Sequence, residues 1–278
     1  MSGKSMGLKA RIRNLAKEKD VTAQVVLQNY MFERFLVRLS KSKYQRKFIL
    51  KGGVLIAAIV GMDKRSTMDL DATIKGYPLN VESLENAILD ILNIYVNDHV
   101  TFTYAGIERI REDDEYGGYR IAITADYDSI RTPLRIDITT GDAITPNEVQ
   151  YLFKMIFDEG DISIWAYNVE TVLAEKVETI LRRVEGNTRP RDFYDLYILT
   201  ETQRFEHSVF IQALRSTSEH RNTTYIFLDI ENRFNVIRKS DFLKARWLKY
   251  MEDYSYAEHI TYEDIMNALG SLIFKNPN

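Results

Sequence analysis

Apolar and polar residues alternate with two different periods along this chain, and where the period changes the chain divides. Over 8–19 and 22–41 apolar residues return at helical spacing. In the second stretch Val25, Val26, Tyr30, Phe32, Phe35 and Leu36 form a stripe that includes Gln28, with Thr22 as a candidate N-cap. Phe48-Ile49-Leu50 is a short apolar run ending at Lys51-Gly52-Gly53, and Val54–Val60 reads as a helix opening after the glycines. Period two appears in Ser66-Thr67-Met68-Asp69-Leu70-Asp71-Ala72-Thr73-Ile74. Helical spacing returns over 81–95 (Leu84, Ala87, Ile88, Ile91, Leu92), and strands are expected at 100–110, 119–127 and 134–139. Gly117-Gly118 and Thr132-Pro133 read as turns. Beyond 168 the pattern is helical: 169–184, 190–202, 207–216, 240–254 and 262–275, with Thr261 and Asp264 in a capping arrangement. An α+β fold follows, in three parts: N-terminal helices over 1–45, a core over 46–167 and a helical C-terminal domain over 168–278.

The period-two stretch places Asp69 and Asp71 on one face and Met68, Leu70, Ala72 and Ile74 on the other. Like charges two residues apart repel, so an ordinary strand gains nothing from the pair. Mg²⁺ removes that objection, because it is held by one or two carboxylates together with substrate phosphates. Glycines at 52 and 53 allow backbone to approach a phosphate. Two readings stand, a metal site for nucleotidyl transfer or a wetted strand. Leu134-Arg135-Ile136-Asp137-Ile138-Thr139 repeats the pattern: Asp137 is either a third carboxylate for the cation or part of a surface Arg135–Asp137 alternation.

Further candidates lie in the helical part. Lys176 sits on an otherwise apolar face, either snorkelling to water or meeting phosphate as a point charge. In Arg189-Pro190-Arg191-Asp192-Phe193-Tyr194-Asp195, Pro190 and Asp192 suit a helix start. Asp195 among aromatic residues needs a partner, with Lys176, Arg182 and Arg183 in reach by sequence. Arg65-Ser66 either contacts nucleotide or shapes a turn. The acidic run Glu112-Asp113-Asp114-Glu115 lacks ligand-like spacing.

Composition narrows the chemistry. With no cysteine and four scattered histidines, neither a disulfide nor a zinc site is expected, and a bound metal would be a hard ion on oxygen. No apolar run approaches the roughly 20 residues that span a bilayer, and the N-terminus lacks a signal-like apolar region. No membrane association is expected, and the location is expected to be cytoplasmic. Residues 1–51 carry 13 Lys and Arg against three Asp and Glu, a local +10, so the rest holds −13 of the overall −3. That segment is either a footprint for a polyanion or an ordinary solvated face.

The order Lys51-Gly52-Gly53, Arg65-Ser66-Thr67-Met68-Asp69-Leu70-Asp71, Leu173-Ala174-Glu175-Lys176 and Arg191-Asp192-Phe193-Tyr194-Asp195-Leu196 resembles the AbiEii toxins of type IV toxin–antitoxin and abortive-infection systems. The resemblance implies a DNA-polymerase-β-like nucleotidyltransferase core, Mg²⁺-dependent use of an NTP, and an AbiEi-type antitoxin encoded nearby. By the same resemblance Asp69, Asp71, Lys176 and Asp192 are catalytic. It also implies that Gly52, Gly53, Lys176 and Asp195 bind nucleotide and that Asp69 and Asp71 meet metal; the residues themselves add Arg65 and Ser66 as candidate nucleotide contacts and Asp137 as a candidate third metal ligand. The expected activity is transfer of an NMP onto the 3′ end of tRNA, blocking translation and giving phage resistance. The alternatives are a GTP-sequestering toxin, or transfer to a protein or small molecule. Two departures stand out: Gly53 replaces a frequent serine of the wider superfamily, and the interval from Gly53 to Asp69 is long.

Overall fold

A computed structural model describes residues 3–110 and 117–274. Two compact units emerge, one of residues 1–141 with 149–166, the other of residues 142–148 with 167–278.

The first unit is organised by a sheet of seven strands: β1 (Phe48–Lys51), β2 (Leu70–Ile74), β3 (Val100–Ile110), β4 (Gly118–Tyr127), β5 (Ile130–Thr140), β6 (Val149–Lys154) and β7 (Asp161–Ala166). Their order is β3-β4-β5-β2-β1-β7-β6, so β2 is central, antiparallel to β1 and parallel to β5. Burial alternates strictly along most of β5. Leu134, Ile136 and Ile138 are buried while Arg131, Pro133 and Arg135 are exposed. Each of those aliphatic side chains contributes roughly 1.5–3 kcal/mol when buried. A one-residue slip would exchange them for the charged set, so the pattern pins the register of β5 against β2.

Among the described residues four helices belong to this unit: α1 (Gly3–Glu18), α2 (Ala23–Ser40), α3 (Gly52–Val60) and α4 (Val81–Leu92). Thr22 caps α2, its Oγ1 accepting from Val25 N at 3.3 Å, and the α4 stripe of Leu84, Ala87, Ile88, Ile91 and Leu92 is buried as its spacing predicts. α2 is buried around most of its circumference, which changes the meaning of the basic N-terminal segment. Arg38 is buried and donates to both oxygens of Asp98, at 2.8 and 3.0 Å, and to Val100 O. Arg34 is buried against Glu33 and Asp158. Two of the arginines counted toward an external polyanion footprint therefore serve internal ion pairs.

Three expectations need correction. Thr132-Pro133 is no turn, because β5 runs from Ile130 through both residues. Pro133 pairs with Thr124 of β4, and β2 joins β5 only from Ile136 onward, so the missing N–H falls where that side of the strand has no ladder to serve. Met68 is 43% exposed and precedes the strand rather than lining the core. β6 and β7 were not anticipated. Gly118 opens β4, and the acidic run 112–115 lies outside the described residues.

The second unit is helical: α5 (Val169–Arg183), α6 (Pro190–Thr202), α7 (His207–His220), α8 (Ile230–Lys239), α9 (Asp241–Asp253) and α10 (Tyr262–Phe274). Asn168 caps α5 by accepting from Thr171 N at 2.7 Å, and Pro190 starts α6. Thr261 and Asp264 form the expected box at the start of α10, with Thr261 N donating to Asp264 Oδ2 at 2.8 Å and Asp264 N to Thr261 Oγ1 at 3.1 Å. α8 escapes a periodicity reading because only Phe234 and Ile237 of its ten residues are buried.

Candidate active site

β1 runs directly into α3, and the junction requires glycine. Gly52 has φ +66°, in the left-handed region, and a Cβ there would fall 2.1 Å from Asp71 Oδ2. The absent side chain is a cradle for the Asp71 carboxylate, and Gly53 N–H donates weakly to the same oxygen at 3.4 Å. A Cβ on Gly53 would lie 2.5 Å from Thr67 Oγ1 and 2.9 Å from its Cβ. Thr67 therefore occupies the space a serine at 53 would need, which gives a physical reason for that departure from the superfamily pattern.

The long interval before Asp69 also has an explanation. Arg65 N closes a turn onto Gly61 O at 3.1 Å. Gln28 Nε2 then donates to Met68 O at 2.6 Å and Asn29 Nδ2 to Thr67 O at 3.2 Å, so two buried amides of α2 fasten the backbone leading into β2. Gln28 was read only as part of the α2 stripe and Asn29 not at all, although polar side chains on the inward face of a helix were the available signal. Arg65 itself is buried and donates to Ser66 O, which favours a turn-shaping role, and Ser66 is half-buried.

Asp69, one residue before β2, is exposed, and Asp71, within β2, is half-buried. Asp71 stands in register with Asp137 on the parallel neighbour β5, while Asp69 lies just outside the strand. The three carboxylates do not converge. Asp137 Oδ1 accepts from Arg120 Nε and Oδ2 from Arg120 Nη2, both at 2.8 Å. Among the described residues no three His, Cys, Asp or Glu side chains are arranged to hold a metal. The Asp137 fork raises the Arg120 pKa further above the ordinary arginine range, and the charges of Asp69 and Glu108 add to it. Arg120 was missed from sequence because nothing local marks it as the partner of Asp137.

In the helical unit Lys176 Nζ lies 2.7 Å from Asp192 Oδ1 and 2.9 Å from Asp195 Oδ2. Asp195 is fully buried, and Lys176 is the partner its aromatic surroundings required; Arg182 binds Glu178 instead, at 2.9 Å. Burial works to lower the Lys176 pKa, but Asp192 and Asp195 outweigh it and hold the ammonium above the ordinary lysine value. With its side chain 20% exposed, Lys176 is an oriented and only partly covered cation rather than a snorkelling one. Asp192 Oδ2 is buried and makes no hydrogen bond among the described residues.

Comparisons with known proteins bear on the fold and the family. A nucleotidyltransferase candidate from H. pylori superposes with a TM-score of 0.52 at 16% identity, covering 91% of this chain and 94% of that one. JHP933 from Helicobacter pylori does so with a TM-score of 0.51 at 15% identity, covering 90% of each. The architecture is thus a nucleotidyltransferase fold. The family described as "Nucleotidyl transferase AbiEii toxin, Type IV TA system" matches residues 34–269, and the chain belongs to it. No curated protein matches the chain. Among the described residues no helix is long and apolar enough to cross a membrane.

Proposed function

We propose that this toxin transfers a nucleoside monophosphate from an NTP to an acceptor hydroxyl. The acceptor oxygen attacks the α-phosphorus, the bond from that phosphorus to the β-bridging oxygen breaks, and pyrophosphate leaves. The observation that carries the reading is the Gly52 cradle, which seats Asp71 two residues from the exposed Asp69.

The donor set fits a hard divalent ion: Asp69 and Asp71 would hold Mg²⁺. When bound, that ion would neutralise triphosphate charge and favour departure of pyrophosphate. The chain's own groups do the rest. Gly52 seats the Asp71 carboxylate and Gly53 makes room for Thr67 at the turn that would face phosphate. Asp137, paired with Arg120, would accept the proton of the attacking hydroxyl or complete the cation site. Lys176, oriented by Asp192 and Asp195, supplies a positive charge for phosphate. Ser66 and Arg65 shape the turn that leads to Asp69. Positioning and electrostatics carry most of the rate in such a scheme.

Family membership supports an antitoxin partner of the AbiEi type and an NTP substrate. We take the 3′ end of tRNA as the acceptor and the cytoplasm as the place of action, with arrest of translation giving resistance to phage. The test supplies each α-labelled NTP together with total tRNA, protein or small-molecule acceptors. Label on tRNA that is lost in Asp69→Ala supports the reading. Label on another acceptor replaces tRNA, and toxicity that survives Asp69→Ala with no labelled product overturns transfer in favour of sequestration.

A further inference from the structure

Strand pairing aligns five charged residues in a single row across the sheet. Lys51 of β1 faces Asp71 of β2, Asp71 faces Asp137 of β5, Asp137 faces Arg120 of β4, and Arg120 faces Glu108 of β3. Residues directly opposite on paired strands share a face, and like charges placed so are destabilising. The Asp71–Asp137 pair is such a juxtaposition, flanked on both sides by cations. Of the two, Arg120 is committed to Asp137, with one N–H to each carboxylate oxygen at 2.8 Å. Bidentate pairs of this kind are strong and geometrically specific.

We propose that Arg120 is a latch on Asp137. It offsets the charge of the third carboxylate while Asp69 and Asp71 are empty of cation, and it withholds Asp137 from a cation they bind. Asp137 then joins that cation only by giving up arginine contacts. This rests on the reading of Asp69 and Asp71 as cation ligands.

Two features make the exchange feasible. The pair is not sealed: the Asp137 side chain is 18% exposed and that of Arg120 36%. Water and a hydrated ion can therefore reach it, which a fully buried pair would not allow. The displaced guanidinium also has somewhere to go, because Glu108 is exposed and stands in register on its other side. Arg120 thus lies between two anions, one beside the cation ligands and one remote from them. A cation on Asp71 repels the guanidinium and biases it toward Glu108. Arg120 acts here as a positioning residue, through Asp137.

The test is Mn²⁺ binding to the full chain without nucleotide, read from the paramagnetic resonance of free Mn²⁺. Coupling between linked binding events typically spans ~5- to 150-fold, so Arg120→Gln should tighten Mn²⁺ binding by about fivefold or more. The gain should vanish in Arg120→Gln/Asp137→Asn, and Glu108→Gln should weaken binding by removing the receiving anion. Arg120→Lys keeps the charge but loses the fork, and should bind between wild type and Arg120→Gln. It carries the test if circular dichroism shows Arg120→Gln unfolded. Unchanged or weaker binding in both folded Arg120 variants, with Asp71→Asn still abolishing it, overturns the latch and leaves the cation reading intact. Binding indifferent to Asp71→Asn, or absent from every variant, overturns both.

Discussion

Replacing Gly52 with alanine should uncouple catalysis from stability. The new Cβ would sit 2.1 Å from Asp71 Oδ2, whereas ordinary contact begins near 3.4 Å, so the carboxylate must retreat by about 1 Å. The backbone, at φ +66°, adds a left-handed penalty of ~1–2 kcal/mol. Misplacing a catalytic group by ~1 Å costs on the order of 100-fold in rate. Gly52→Ala should therefore lower nucleotide transfer by about two orders of magnitude while urea unfolding falls by only about 2 kcal/mol. Gly7→Ala is the control, since a Cβ there meets nothing within 4 Å and alanine favours the α1 helix by up to ~1 kcal/mol. Retention of more than half the wild-type rate by Gly52→Ala would refute the cradle argument.

Lys176→Met strands Asp195 and Asp192 without their cation, and should destabilise the helical unit by roughly 3–5 kcal/mol in chemical denaturation; a loss under 1 kcal/mol would show the ammonium to be dispensable. Arg38→Met does the same to Asp98 in the first unit and should cost a similar ~3–5 kcal/mol. Hydrogen bonds from the Thr261 hydroxyl and backbone N–H hold the Asp264 carboxyl below its usual range. A lowered folded pKa stabilises above the unfolded value, near ~4, and that stabilisation is lost as pH falls through the folded one. The thermal midpoints of wild type and Asp264→Ala should thus differ near neutral pH and converge on acidification; a gap that is independent of pH would contradict the linkage. Thr22→Ala should cost ~1 kcal/mol of stability through loss of the α2 cap.

How much of this was legible depended on whether the information was local. Alternation along one strand is enough to separate Leu134, Ile136 and Ile138 from Arg135 and Asp137, and to set Asp71 on the face away from Leu70 and Ala72. The capping residues Thr22 and Asp264 were readable for the same reason. What alternation cannot supply is which strand lies beside which. Arg120 is linked to Asp137 by an antiparallel pairing, and Asp71 to Asp137 by a parallel one between segments about 66 residues apart. Strand β6 has a mixed burial pattern in which Leu152 is 61% exposed, so its hydrophobic signal is weak. Gln28 read only as a member of the α2 stripe and Asn29 carried no signal, because the carbonyls they meet, of Met68 and Thr67, lie 40 and 38 residues away.

The central claim is that the chain moves a nucleotide and not a phosphate. Parallel reactions with NTP labelled on the α- or the γ-phosphate, in the presence of Mg²⁺ and total RNA, test it directly. The account predicts α-label covalently on RNA and γ-label wholly in pyrophosphate, with both products absent in Asp71→Asn. γ-Label on the acceptor, or α-label incorporation undiminished in Asp71→Asn, would contradict it.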